Sequence, residues 1–200
     1  MSRPTRAEVA EQDAYMLRRQ RDFRLAADCV ASELAKAAFV DRIALIGSVA
    51  GPLGREVPRF SAYRRHGIEI VHECKDVDLA VWVSRNDQLQ MLRRARIKAS
   101  QTLLAQAQVG VADHQIELFL IAPGPAQPYL GRVCCYKACP AAKRDCQTPG
   151  CGAQPFLKLM EGFTFWPQTL DPTRMVVLFD RAAGGVLARA ADLPSMVRED

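Results

Sequence analysis

The chain has 200 residues, 49% hydrophobic and 24% charged, with a net charge of +5; this supports one ordinary core and excludes bulk disorder. No apolar run approaches the length of a bilayer crossing and the N-terminal residues are charged, which predicts a soluble, cytoplasmic protein with no membrane partner. The basic excess suits a polyanionic ligand such as a nucleotide or RNA, without choosing between them.

Residues 8–39 lack glycine and proline, and Met16, Phe23, Ala27, Val30, Leu34 and Ala37 recur at helical spacing. They predict one long helix, or two joined end to end, with Arg18, Arg19, Arg21 and Arg24 on a solvated opposite side. Residues 42–47 form a short apolar run that fits a buried strand ending in Gly47 and Ser48. A long loop follows, carrying Arg55, Arg59, Arg64 and Arg65. Residues 68–72 are predicted to pair as a hairpin with a strand over residues 77–83. Ser84 and Asn86 are candidate caps for a second helix reaching about Gln108, with Leu92, Ala95, Ala99 and Leu103 along its apolar line. Residues 113–121 alternate as a strand, with Ile116, Leu118 and Leu120 on one face and Glu117 on the other. Pro123, Gly124, Pro125 and Pro128 suggest a boundary. The expected organisation is a helical segment over residues 1–40, a core over 41–125, and a cysteine-rich segment with an extension over 126–200. The tail after Arg189 is expected to fray.

The chemistry centres on Asp76 and Asp78, which open the third predicted strand. Alternation puts both carboxylates on one face, about 6 to 7 Å apart, while Val77 and Leu79 point into the core. Carboxylates so placed need a proton or a cation between them, and Mg²⁺ is the natural partner. Gly47 lets backbone amides approach phosphate oxygens, and the Ser48 hydroxyl and a following helix N-terminus would add donors. Glu117, on a neighbouring strand, is placed to serve as a third ligand or as a base. The set suits in-line attack on the α-phosphate of a nucleoside triphosphate, with pyrophosphate leaving.

The order Ile46-Gly47-Ser48, Asp76-Val77-Asp78 and Ile116-Glu117-Leu118 resembles the nucleotidyltransferase superfamily, which includes DNA polymerase beta, kanamycin nucleotidyltransferase and minimal bacterial nucleotidyltransferases. The resemblance covers about residues 40 to 122. It implies an α/β (α+β) fold with a small mixed sheet flanked by helices. It also implies transfer of a nucleoside monophosphate, AMP from ATP by preference, to a hydroxyl acceptor on a small molecule, RNA or protein. Two Mg²⁺ ions would sit on Asp76, Asp78 and Glu117, with Gly47 and Ser48 on the phosphates. The loop between Ser48 and Asp76 is longer than usual in that family and reads as an insertion able to contact the acceptor. The alternative is a catalytically silent module that binds nucleic acid or a partner protein.

Five of the seven cysteines fall between residues 134 and 151. In a reducing compartment such crowding suggests metal ligands rather than disulfides. Cys135, Cys139, Cys146 and Cys151 form two pairs suited to a structural, tetrahedral Zn²⁺. Cys134 competes with Cys135 for the first place, and His72 or His114 are possible replacements for a cysteine.

Overall fold

The computed structural model describes residues 2–126, 128–137, 148–159 and 167–196. A single long helix, α1 (Arg6–Leu34), opens the fold. Its start is fixed by a capping box: the Thr5 amide donates to the Glu8 carboxylate at 2.7 Å, and the Glu8 amide donates to the Thr5 hydroxyl at 3.3 Å. All six residues of the predicted stripe, from Met16 to Ala37, are buried.

After α1 come β1 (Val40–Ile46), β2 (Arg55–Glu56), the short helix α2 (Ser61–Arg65), β3 (Ile70–Val71) and β4 (Val77–Val83). Next are α3 (Leu89–Ala107), β5 (Ile116–Ile121) and β6 (Tyr129–Val133). The chain ends in β7 (Leu157–Lys158), β8 (Val176–Asp180) and β9 (Gly185–Val186). Seven of these strands make one mixed sheet in the order β7-β6-β5-β4-β1-β8-β9. The pair β4–β5 is parallel and the other described pairs are antiparallel. Helix α3 supplies the crossover that a parallel pair requires. The strands that follow the Pro123–Pro128 stretch hydrogen-bond into the same sheet as β1 and β4. None of the described helices is long and apolar enough to cross a membrane.

Alternation divides the sheet into two faces. Ile43, Leu45, Leu79, Val81, Ile116, Leu118 and Leu120 point toward α1 and α3 and form the main core. Each fully buried aliphatic side chain there contributes roughly 1.5 to 3 kcal/mol. Ala44, Ile46, Ala80, Trp82, Phe119 and Ile121 line the opposite face, covered in part by Leu170, Met175 and Val177. The acids belong to this second face, turned away from α1 and α3.

Several expectations are corrected. Residues 68–72 do not pair with β4: β3 pairs with β2 in a separate two-stranded ribbon, and β4 is sandwiched between β1 and β5. The apolar β4 finds longer partners in two buried strands than a two-residue strand offers. Ser84 and Asn86 do not cap α3. The Ser84 hydroxyl donates to the Phe39 carbonyl at 3.3 Å, Asn86 bonds to Gln154, and Gln88 stands at the helix start without a side-chain bond. Residues 113–115 form a single 3-10 turn ahead of β5 instead of extending it.

Arg24 is not on a solvated face but is 2% exposed. Its guanidinium donates to the carbonyls of Val49 (3.0 Å), Gly51 (2.9 Å), Leu193 (2.6 Å) and Pro194 (3.0 Å). Those bonds explain a further correction, because residues 190–196 are held rather than frayed, the last four residues lying outside the described ones. Ala190 is fully buried, the Ala190 and Ala191 amides donate to Asp28, and Leu53 bridges to Met196.

Candidate active site

Sheet register assembles the site. Ile46 on β1 lies opposite Asp78 on β4, and Asp78 lies opposite Glu117 on β5. Neighbouring strands are about 4.8 Å apart, so Glu117, Asp78 and the end of β1 stand in one row across the face turned away from α1 and α3. Asp76 sits immediately ahead of β4. Its approach is fixed from two sides: Arg19 on α1 donates to the Cys74 carbonyl at 2.7 Å, and Gln115 donates to the Lys75 carbonyl at 3.2 Å. The start of β5 is fixed by Arg96 on α3, which is 3% exposed. Arg96 forms a two-pronged pair with Asp113 at 2.7 and 2.8 Å and donates to the Ile116 carbonyl at 3.1 Å.

The three predicted acids are therefore brought together, and the electrostatics record it. Burial pushes the Asp78 carboxyl up to about 7, with the Glu117 and Asp76 carboxylates adding to the rise and Arg132 opposing it. Near neutrality this carboxyl holds a proton or lacks a counter-charge, which is the condition of a site suited to a cation. The Glu117 carboxylate is bonded to Arg132 on β6. Arg132 also lies over the Phe119 ring, 5.6 Å from its centroid. No local sequence signal marks this partner, since it is the β5–β6 pairing, with Arg132 opposite Phe119, that brings Arg132 to the same face as Glu117. Among the described residues no three His, Cys, Asp or Glu side chains converge tightly enough to hold a metal as they stand.

Gly47 and Ser48 follow β1 and lie on the surface. No α-helix follows them: Gly47–Val49 is a single 3-10 turn, which corrects the expected helix N-terminus. The glycine is required on two counts. Its φ is +73°, and a Cβ there would sit 2.7 Å from Asp78 Oδ2. The Ser48 hydroxyl bonds to the thiol of Cys74, which is itself fully buried. Gly47→Ala is expected to cost about 1 to 3 kcal/mol in stability and to turn the Asp78 carboxylate out of the row. Denaturant unfolding measures the first effect, and loss of Mg²⁺-dependent ligand binding measures the second.

Of the four predicted zinc ligands, Cys139 and Cys146 lie outside the described residues. Cys151 is half-buried, and the exposed Cys135 thiol donates to the Asp113 carboxylate at 3.4 Å. Cys134 donates to the Tyr136 carbonyl at 3.6 Å. Of the histidines named as substitutes, His72 bonds to Glu56 at 2.8 Å and His114 is exposed.

In the insertion, Arg55 pairs with Asp13 at 2.9 Å and donates to the Glu69 carbonyl, so it braces the β2–β3 ribbon. Arg59, Arg64 and Arg65 remain exposed. Comparison of the chain with protein-family models, with curated proteins and with solved structures returns no match.

Proposed function

We propose that the chain is a metal-dependent nucleotidyltransferase that moves a nucleoside monophosphate, AMP from ATP by preference, onto a hydroxyl acceptor with release of pyrophosphate. The observation that carries this reading is the row formed by Glu117, Asp78 and the Gly47 turn, with the Asp78 carboxyl pushed up to about 7. Asp76 and Asp78 fit a Mg²⁺ ion, because a buried carboxyl short of counter-charge beside a second acid is stabilised by a hard cation. When bound, Mg²⁺ would neutralise phosphate charge and make the acceptor hydroxyl easier to deprotonate. Glu117 completes the set as third ligand or as base, and Arg132 holds its carboxylate beside Asp78. The Gly47 turn presents main chain to the phosphates with no side chain in the way. Cys135, Cys139, Cys146 and Cys151 are proposed to hold a structural Zn²⁺, which requires Cys135 to exchange the Asp113 carboxylate for the metal.

The test combines metal analysis of the purified protein with calorimetric titration of ATP, with and without Mg²⁺, on wild type and on Asp76→Ala/Asp78→Ala. Expected are one zinc per chain and Mg²⁺-dependent ATP binding that the double variant loses. ATP binding of equal strength in the double variant would remove the assignment.

The pairing of Glu117 with Arg132 favours a second reading, a silent module in which that ion pair has replaced the third metal ligand. Such a module would bind a polyanion with affinity falling steeply as salt rises, and would show no Mg²⁺ dependence.

A further inference from the structure

Of the three acids, Asp76 alone stands outside the sheet. The β4–β5 ladder begins at Val77 and Ile116, so strand pairing sets Asp78 and Glu117, whereas Asp76 lies one residue ahead of it. Asp76 is half-buried, and among the described residues its carboxylate makes no hydrogen bond or ion pair. Its place therefore depends on what holds the main chain before it.

That main chain is gripped at two successive carbonyls. Arg19, from α1, donates through Nε to the Cys74 carbonyl at 2.7 Å, and its Nη2 lies 3.5 Å from the Lys75 carbonyl oxygen. Gln115, from the turn ahead of β5, donates to the same Lys75 carbonyl at 3.2 Å. Both holds are themselves anchored. Arg19 donates through Nη1 to the Tyr15 hydroxyl at 3.3 Å, and its guanidinium lies over the buried Phe23 ring, 5.0 Å from the centroid. The Gln115 side chain accepts from the Ala112 amide at 3.3 Å, and Asp113 in the same turn is gripped by the buried Arg96. One bracket thus runs from α1 across the lead-in of β4 to the lead-in of β5 and on to α3.

We propose that Arg19 is a positioning residue that makes the acid site selective for Mg²⁺: with Gln115 as the opposing hold, it fixes the main chain ahead of Asp76 and so keeps that carboxylate in one place relative to Asp78. This rests on the transferase reading above. Mg²⁺ takes oxygen ligands at about 2.1 Å in nearly octahedral geometry, whereas Ca²⁺ takes roughly six to eight at about 2.3 to 2.6 Å in flexible arrangements. A carboxylate that can drift therefore costs Mg²⁺ more than it costs Ca²⁺. A guanidinium fork suits the task, because it can serve adjacent carbonyls that a single ammonium cannot hold together.

The test titrates the full chain with magnesium chloride and with calcium chloride at matched ionic strength. Binding is read by calorimetry and by the rise in unfolding temperature that each salt produces. The proteins are wild type, Arg19→Met, Arg19→Lys, Gln115→Leu, Asp76→Asn and Arg19→Met/Asp76→Asn. Wild type is expected to prefer Mg²⁺. Arg19→Met should weaken Mg²⁺ about tenfold or more and Ca²⁺ less, so that the preference shrinks. Gln115→Leu should shift the ratio the same way, and Arg19→Lys should recover part of the loss. In the Asp76→Asn background Arg19→Met should change neither affinity further, because the carboxylate it positions is gone. Equal loss of both cations, an unchanged ratio, or further loss in the double variant would show a structural role only and overturn the inference while leaving the transferase reading standing. A wild type without Mg²⁺ preference would overturn it as well. Should Arg19→Met fail to fold, the ratio in Gln115→Leu decides in its place. A wild type that binds neither cation would also overturn it, and the ATP titration described above then decides whether the transferase reading falls too.

Discussion

Asp78→Asn is expected to stabilise the metal-free protein at pH 8 while abolishing the nucleotidyl transfer proposed above. In the unfolded chain this carboxyl titrates near 3.9, whereas burial and the neighbouring Glu117 and Asp76 carboxylates hold it at about 7 in the folded protein. Between those values the folded state keeps a proton that the unfolded state has released. The folded state's advantage from this group is therefore complete below pH 4 and falls as pH rises, at about 1.4 kcal/mol per pH unit. Above pH 7 the loss levels off. An amide carries no such burden, so the variant should gain on the order of 2 to 4 kcal/mol at pH 8 in the presence of chelator. Mg²⁺ should restore stability to the wild type at that pH and leave the variant unchanged. Urea unfolding at pH 5 and pH 8, with EDTA or with Mg²⁺, measures all of this. A wild type whose stability is flat with pH, or a variant less stable at pH 8, would mean that Asp78 lacks the crowded, desolvated surroundings described above.

Arg24→Ala is expected to cost about 3 to 5 kcal/mol, because each buried carbonyl left without a donor costs roughly 1 to 3 kcal/mol. The carbonyls of Val49, Gly51, Leu193 and Pro194 would all lose their donor at once. Lysine is a poor substitute, because one ammonium cannot reproduce a planar fork reaching separated carbonyls. Hydrogen exchange should rise together at Leu53, whose amide donates to Ser195, and at Ala190 and Ala191. Exchange confined to one of these segments would show that Arg24 does not join them.

The acids were legible in the sequence because strand alternation is a local property: Asp78 and Glu117 needed only their own strands to be placed on the same side of the sheet. The long helix was legible for the same reason, from a stripe running Met16 to Ala37. What escaped was every arginine that acts across the fold. Arg18, Arg19, Arg21 and Arg24 look alike in sequence, yet Arg24 is buried under the turn and Arg19 steers the approach to Asp76. Arg132 becomes a neighbour of Glu117 only through the β5–β6 pairing, 15 positions further along the chain. The mistaken hairpin has a related cause. Of residues 68–72 only Ile70 and Val71 form a strand, and it pairs with β2; no local pattern distinguishes that partner from β4.

The bonds made by Arg24 also order events in time. Arg24 and its partner Leu193 are 169 positions apart, so the turn beside Asp78 stays unfinished until β8 and the segment after it have been synthesised. Contacts this distant also slow the final closure. A nascent chain carrying all three acids but not yet residues 193 and 194 would still lack the floor beneath Gly47. The turn is thereby completed only once residues 193 and 194 have been made, and proteolytic loss of the residues around 190–196 is expected to loosen it without touching a single residue in the row of acids.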